Sequence, residues 1–241
     1  MQVYRIAELN ILIDSVYETT KKQLEPYAVS CKTPDFEVFV TEKEIKEKSA
    51  LYKPPCTLQA VESMLILSKI CNVVLEKYKG FFFHSSSLEL DGEAYVFSAP
   101  SGTGKSTHTA LWRKHFGNRV TMINDDKPII RKTDNGFFIY GTPWMGKSGI
   151  GNNIKAPVKA VFILQRGKEN SAVRVKVGDV FKQIFSATVV PHDKAKMSEL
   201  LTLLDEFFMS VPIYLLSCNI SDNAVVTAYN VANNIIAKDN D

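Results

Sequence analysis

Two periodicities alternate along this chain, and the switches between them separate strands from helices. Val3 to Asp14 is rich in Val, Ile, Leu and Tyr with partial alternation, and Asp35-Phe36-Glu37-Val38-Phe39-Val40 alternates cleanly, so both read as strands with a helix or long connection between them. Thr41 to Lys53 is heavily charged and reads as a surface helix or loop. It ends at Pro54-Pro55, the best boundary candidate in the chain. Thr57 can cap a helix running to about Lys79, with Leu58, Val61, Met64, Leu65, Ile70, Val73 and Val74 covering most of its circumference and Gly80 ending it. That pattern predicts a core helix, and Glu62, Ser63, Ser68, Lys69 and Asn72 make it too polar to span a bilayer.

Phe81-Phe82-Phe83-His84 and Ser87-Leu88-Glu89-Leu90 read as strands leading to the tight turn Asp91-Gly92 and the buried strand Glu93 to Ser98. A helix follows from Lys105 to His115, then a short buried strand, Arg119 to Ile123. Pro128 to Arg131 and Gly136 to Tyr140 flank a second hairpin turn at Asp134-Asn135-Gly136, and Gly141 to Gly151 is a glycine-rich loop with one lysine. Val158 to Gln165 reads as an apolar strand, interrupted only by Lys159 before its closing Gln165, and ends at Arg166. The last third reads as helices Val180 to Thr188 (Phe181, Ile184 and Phe185 on one face), Lys194 to Met209 and Asn223 to Lys238, with one strand, Pro212 to Cys218. The order predicts an α/β fold with a mixed β-sheet and flanking helices.

Composition changes this picture little. The 241 residues are 45% hydrophobic and 23% charged with a net charge of +3, enough for a sizeable core in one or two domains. No block of like charges marks a nucleic-acid arm, so neither a nucleic-acid nor a membrane partner is expected. Cys31, Cys56, Cys71 and Cys218 lack metal-ligand spacing and read as reduced, mostly buried thiols. The start, Met1 to Ile6, shows no signal-peptide pattern, which makes a cytoplasmic location the default expectation.

The candidate chemistry centres on Ala99-Pro100-Ser101-Gly102-Thr103-Gly104-Lys105-Ser106-Thr107, set between a buried strand and a helix. Gly102 and Gly104 permit backbone conformations that aim successive N–H groups at phosphate oxygens at the positive end of a helix, with Ser101 and Thr103 completing the loop. Lys105 can then reach the β and γ phosphates, Ser106 can ligate Mg²⁺, and Thr107 can add a hydroxyl or amide contact. Two departures stand out: Ala99 replaces the usual first glycine, and Pro100 has no N–H to give. Asp125 and Asp126 end a buried strand roughly twenty residues on, where one acid can hold Mg²⁺ while the other accepts a proton from an attacking hydroxyl. His84, a lone histidine, carries no spacing signal of its own.

These residues resemble the superfamily that contains HPr kinase/phosphorylase and ATP-dependent phosphoenolpyruvate carboxykinase. Phe83-His84-Ser85-Ser86 looks like its histidine-serine segment, Ser101 to Ser106 like its P-loop, and Asn124-Asp125-Asp126 like its Asp-Asp motif. The resemblance spans about Phe81 to Lys127 and implies an HPr-kinase/carboxykinase-like P-loop core. Residues 56–241 would form that core and residues 1–55 an N-terminal α/β subdomain, with one compact unit as the alternative. It further implies Asp125 as base, Asp126 with Ser106 as metal partners, and His84 near the phosphoryl acceptor or a second metal. The downstream acidic segment of HPr kinases is missing, since Gly141 to Lys147 contains no acid.

The leading expectation is an ATP- and Mg²⁺-dependent kinase acting on a serine or other hydroxyl of a protein or peptide, with Lys147 or Arg166 as candidates to close on the phosphates. The missing acid favours a second reading, a nucleotide-dependent peptide-binding module with little transfer. A third, a small-molecule carboxykinase, needs arginines near the loop, and Arg113, Arg119 and Arg131 are the nearest in sequence. The oligomeric state, a homo-oligomer included, stays open.

Overall fold

The computed structural model describes residues 1–54, 56–191 and 193–235. Strands β1 (Gln2–Ile6) and β2 (Leu9–Asp14) pair antiparallel, and β3 (Phe36–Phe39) adds to β2 in parallel. The strand expected over Val3 to Asp14 is therefore a hairpin. Ala7 and Glu8 turn the chain at φ of 51° and 63°, and neither is the Gly or Asn that usually marks such a turn. Helix α1 (Glu18–Leu24) bridges β2 and β3, and α2 (Glu42–Ser49) begins with a reciprocal capping box between Thr41 and Glu44.

Helix α3 (Leu58–Tyr78) starts at Thr57, whose hydroxyl accepts the Ala60 N–H, and ends with Lys79 in the left-handed region at φ 49°. Gly80 answers a different need. A Cβ there would lie 2.6 Å from Arg131 Cγ and 2.7 Å from Val74 Cγ1, so only glycine lets the next strand pass. The buried residues of α3 are Val61, Glu62, Ile66, Ile70, Cys71, Val74 and Leu75, while Met64 is 41% exposed, so the apolar surface covers less of the circumference than expected. By length and composition alone α3 is apolar enough to cross a membrane, which corrects the expectation that its polar residues exclude this. In the fold, α3 contacts α1, α2, β3 and the helix Lys194–Ser210. Its inner face shares one core cluster with Ile6, Ile11, Ile13, Val38 and Ile45 from residues 1–55.

The remaining strands are β4 (Gly80–Phe82), β5 (Ser86–Leu90), β6 (Glu93–Ser98), β7 (Val120–Asn124), β8 (Ile129–Thr133), β9 (Gly136–Tyr140), β10 (Lys155–Arg166), β11 (Ser171–Arg174) and β12 (Ile213–Cys218). They form one mixed sheet in the order β4-β8-β9-β10-β6-β5-β7, with β12 also on β10 and β11 on β12. Period-2 alternation sorts its two faces. Ala94, Val96, Val161 and Ile163 face α5 (Val177–Ala187) and α6 (Lys194–Ser210). Tyr95, Phe97, Phe162 and Leu164 face α4 (Lys105–Phe116) and α7 (Asp222–Ala232). The molecule is thus a mixed α/β fold with helices on both faces of its main sheet.

Strand direction prepares the site. Strand β5 is antiparallel to both β6 and β7, so β6 and β7 run the same way, and β10 is parallel to β6 and β12 to β10. Four strands therefore deliver their C-terminal ends, Ser98, Asn124, Arg166 and Cys218, to one edge, where open α/β sheets take ligands.

Other expectations need adjusting. Strand β11 had no periodic signal, being four residues with three exposed. Helix α7 stops at Ala232, with Asn234 at φ 53°; residues 236–238 of the expected helix, and Pro55 of the proline pair, lie outside the described residues. Phe181 and Phe185 stack on each other at 5.7 Å, with Phe181 46% exposed, while Val180 and Ile184 supply the buried face of α5. All four cysteines are free thiols, but Cys71 alone is buried and the other three are half-buried.

Candidate functional site

The loop Ala99 to Gly104 joins β6 to α4, so the strand, loop and helix order anticipated for it is present. Gly102 and Gly104 sit at φ of 78° and 124° with nothing within 4 Å of an added Cβ; backbone conformation, not crowding, requires glycine at both. From the end of β10, Arg166 donates to the carbonyls of Gly102 (2.6 Å) and Thr103 (3.2 Å), fixing the carbonyl side of the loop. Pro100 contributes through its own carbonyl, which accepts the Thr103 N–H.

Lys105 opens α4 yet is only 8% exposed, and its Nζ donates to the Ala99 carbonyl at 2.9 Å. Burial pulls its pKa below the ordinary lysine value, Lys127 adds to that, and Asp126 and Asp125 oppose it. Ser106 and Thr107 expose their hydroxyls on the first turn of the helix.

Asn124 organises the acids. Its Oδ1 accepts the N–H groups of Asp126 and Lys127, both at 2.8 Å, while its Nδ2 donates to the Thr142 carbonyl at 2.9 Å. This turn splits the two carboxylates between different surroundings. Asp125 Oδ1 accepts from the buried Ser86 hydroxyl at 2.5 Å. With its one proton given to Asp125, Ser86 can only accept from the Thr109 hydroxyl, 3.0 Å away on α4. Asp125 is thereby linked to the helix that carries Ser106. Asp126 instead meets His84, whose Nε2 is 3.2 Å from Asp126 Oδ1.

Burial, with help from Lys127 and Lys105, lowers the His84 pKa to about 4 against the pull of Asp125. Burial likewise raises that of Asp126, which Lys127 and Lys105 oppose and Asp125 reinforces. Burial disfavours the charged form of both groups, so the two side chains meet as a close polar contact. Backbone bonds hold His84 from two sides: its N–H donates to Ala187 of α5 and its carbonyl accepts from Ser98 of β6.

Histidine, lysine and paired acids thus converge at one sheet edge. Lys147, by contrast, is exposed in the glycine-rich loop. Among the arginines, Arg119 pairs with Asp91, Arg131 donates to the carbonyls of Ala7 and Tyr78, and Arg113 is exposed on α4. None of the three lines the clefts beside the loop.

Three contributors were not singled out from sequence. Ser86 and Thr109 carry no motif beyond their neighbourhood, and Lys127 follows the acids as an ordinary charge; burial alone makes it notable, pulling its pKa below the usual lysine value against Asp126. His108 is a fourth buried polar group, accepting the Trp112 Nε1–H on its Nε2 at 3.0 Å behind the loop.

Two clefts of ≈ 490 Å³ flank the loop. One is lined by Ser101, Ile163 and Gln183; the other by Thr107, Leu111, Cys218 and Ile220. Among the described residues no three His, Cys, Asp or Glu side chains gather as a metal cage. Mg²⁺ needs none, since it keeps waters and takes one or two carboxylates plus phosphate oxygens. A Ser106 hydroxyl and an Asp carboxylate are hard oxygen donors of that kind, so the donor set fits.

No family model matches the sequence, and no curated protein matches it. Among solved structures the chain is similar to the Hpr(Ser) kinase/phosphatase from Coxiella burnetii, at 12% identity, over 64% of this chain and 89% of that one. The TM-score is 0.36, a distant likeness that carries no functional argument.

Proposed function

We propose that this protein is a kinase that moves the γ-phosphoryl group of Mg-ATP to a serine or similar hydroxyl of a protein or peptide. The observation that carries the reading is a buried Lys105 at the head of α4, on a glycine-turned loop, electrostatically coupled to Asp125 and Asp126 from the neighbouring strand end. A lysine so buried has one carbonyl for its three donors; a phosphate would satisfy the rest. Bound Mg-ATP supplies the transferable group and the metal charge that offsets its developing negative charge.

The chain's own residues divide the remaining work. The loop and the first turn of α4 hold the phosphates, and Lys105 neutralises them. Arg166 keeps the loop in shape through its carbonyls. The resemblance alone ordered Asp125 as base and Asp126 as metal partner, and their surroundings favour the exchange. Asp125 is tied through Ser86 and Thr109 to the helix bearing Ser106, as a metal partner would be. Asp126 lies 3.2 Å from His84 Nε2 and lines a cleft of its own, as a base approached by an acceptor would. His84 lies beside that carboxylate, with burial disfavouring its charged form.

A nucleotide-dependent binding module is favoured by one observation: the loop Gly141 to Gly151 brings no third acid to the site. The small-molecule carboxykinase reading has no support from the arginines, all three of which lie elsewhere. Incubation with γ-labelled ATP, Mg²⁺ and candidate peptides decides between the first two. Label on a peptide hydroxyl supports the kinase; nucleotide and peptide binding with no transfer replaces it with the binding module.

A further inference from the structure

The glycine-rich loop remains without a role in nucleotide binding, yet it is built as carefully as the P-loop. Trp144 Nε1–H donates to Ser63 Oγ (3.0 Å), Ser63 donates to Gln23 Oε1 (2.9 Å), and Gln23 Nε2 donates to the Pro143 carbonyl (3.1 Å). This closed circuit locks the loop to α1 and α3. Glu62, beside Ser63, anchors the same corner by accepting the N–H groups of Val16 and Tyr17 ahead of α1. Trp144 packs edge-on against Phe82, and its carbonyl accepts the Lys127 N–H one residue past the acids.

Between these walls lies a cleft of ≈ 420 Å³, lined by Gln23 and Pro26 on one side, Pro143 to Gly146 and Gly149 on the other, and Asp126 between. Gly146 and Gly149 take φ of 65° and 62°. A Cβ on Gly146 would sit 3.1 Å from Asp126 Cβ, so the loop backbone itself passes against the acid.

We propose that this cleft is the docking groove for the acceptor, and that the acceptor is an extended peptide segment whose serine is flanked by apolar, non-acidic residues. The proposal rests on the kinase reading for the role of Asp126. The charge of the lining decides the class. Its lining side chains include one carboxylate and no lysine or arginine, so an apolar, non-acidic segment suits them better than an anionic metabolite or an acidic peptide. Two prolines, Trp144 and Met145 offer apolar walls, and side-chain-free glycines leave backbone within reach of an extended chain. A hydroxyl entering along the groove arrives at Asp126, and neither Ser86 nor a residue of α4 is among the lining residues.

The test uses the full chain with a photo-crosslinking benzoylphenylalanine at Pro26 or Met145, on opposite walls, and at Met209 of α6 as an exposed control. The probe is a biotinylated pool of synthetic peptides with a fixed central serine and degenerate flanks, supplied with Mg²⁺ and γ-labelled ATP. Crosslinking at positions 26 and 145 at least about tenfold above position 209, with captured peptides poor in Asp and Glu, is the expected result. Equal capture at all three positions, covalent dimers of the chain instead of peptide adducts, or enrichment of acidic peptides would overturn the groove. Capture is read separately from transfer. Selective capture without label on peptide keeps the groove and defeats the kinase, whereas transfer without selective capture does the reverse. An exposed position at Pro26 guards against a fold defect at Met145.

Discussion

The tripeptide Gly-Lys-Ser occurs twice in this chain, as Gly104-Lys105-Ser106 and as Gly146-Lys147-Ser148, and the fold treats the two in opposite ways. The first opens a twelve-residue helix after a buried strand, and its lysine is buried. The second forms a single 3₁₀ turn with an exposed lysine. Both loops use glycine for φ values that side chains resist, but only the second also needs it for room, a Cβ at Gly141 falling 1.8 Å from the Asn152 carbonyl oxygen. Under the proposed function, the elements that flank the tripeptide, and not the tripeptide itself, set the phosphate site apart.

The largest expected effect breaks the comparison at the acids. Asp126→Asn keeps size and most hydrogen bonding but cannot accept a proton, so single-turnover transfer should fall by roughly 10²- to 10⁴-fold with ATP affinity nearly unchanged. Asp125→Asn should instead weaken Mg²⁺-dependent ATP affinity, because a metal partner is lost. Calorimetry and labelled transfer on both variants check this, and the opposite pattern would restore the order implied by the resemblance.

Glycine substitutions come next. Gly141→Ala forces backbone to move and should cost at least about 2 kcal/mol in denaturant unfolding. Gly102→Ala meets no neighbour and should cost about 1 kcal/mol, from its positive φ alone. Equal losses would show that the two loops do not differ in the way their geometry indicates.

A smaller, gradual effect follows pH. Burial penalises the charged forms of His84 and His108 and lowers the folded pKa of each to about 4 from the ordinary 6.5. Between those values the unfolded chain binds protons that the native state refuses, so stability rises with pH across that window and is lost as pH falls through it, by up to about 3 kcal/mol for each histidine. Protonating His108 would also remove the acceptor for the Trp112 N–H. Chemical denaturation at intervals from pH 7 to 4 should show the decline, and a Trp112 hydrogen bond and His84 imidazole that titrate near 6.5 by NMR would contradict it.

Much of the core was legible because β6 and β10 carry continuous apolar runs, the mark of strands buried on both faces, though which residue faces which way came only with the structure. Tyr95 and Phe97 against Ala94 and Val96 define the two faces of β6, and the same pattern recurs in β10. The turn at Asp91-Gly92 was legible for its chemistry, while Ala7-Glu8 was hidden because left-handed φ there is imposed by pairing, not by residue type. At the site, the loop and the adjacent acids stood out as motifs. The split between Asp125 and Asp126 did not, since it depends on Ser86 and His84 arriving from either side of one strand start, a distinction of a few ångströms with no counterpart in spacing. The closed circuit of Trp144, Ser63 and Gln23 was equally hidden, its members being 40 and 81 residues apart in sequence.

The central claim, that Lys105 and not its counterpart binds a nucleotide phosphate, is tested most directly by titrating Mg-ATP calorimetrically into wild type, Lys105→Ala and Lys147→Ala. Loss of a charge-assisted contact at a buried site predicts affinity about 10- to 100-fold weaker for Lys105→Ala, and wild-type affinity for Lys147→Ala. Wild-type affinity in Lys105→Ala, or no binding by the wild type, would contradict the account.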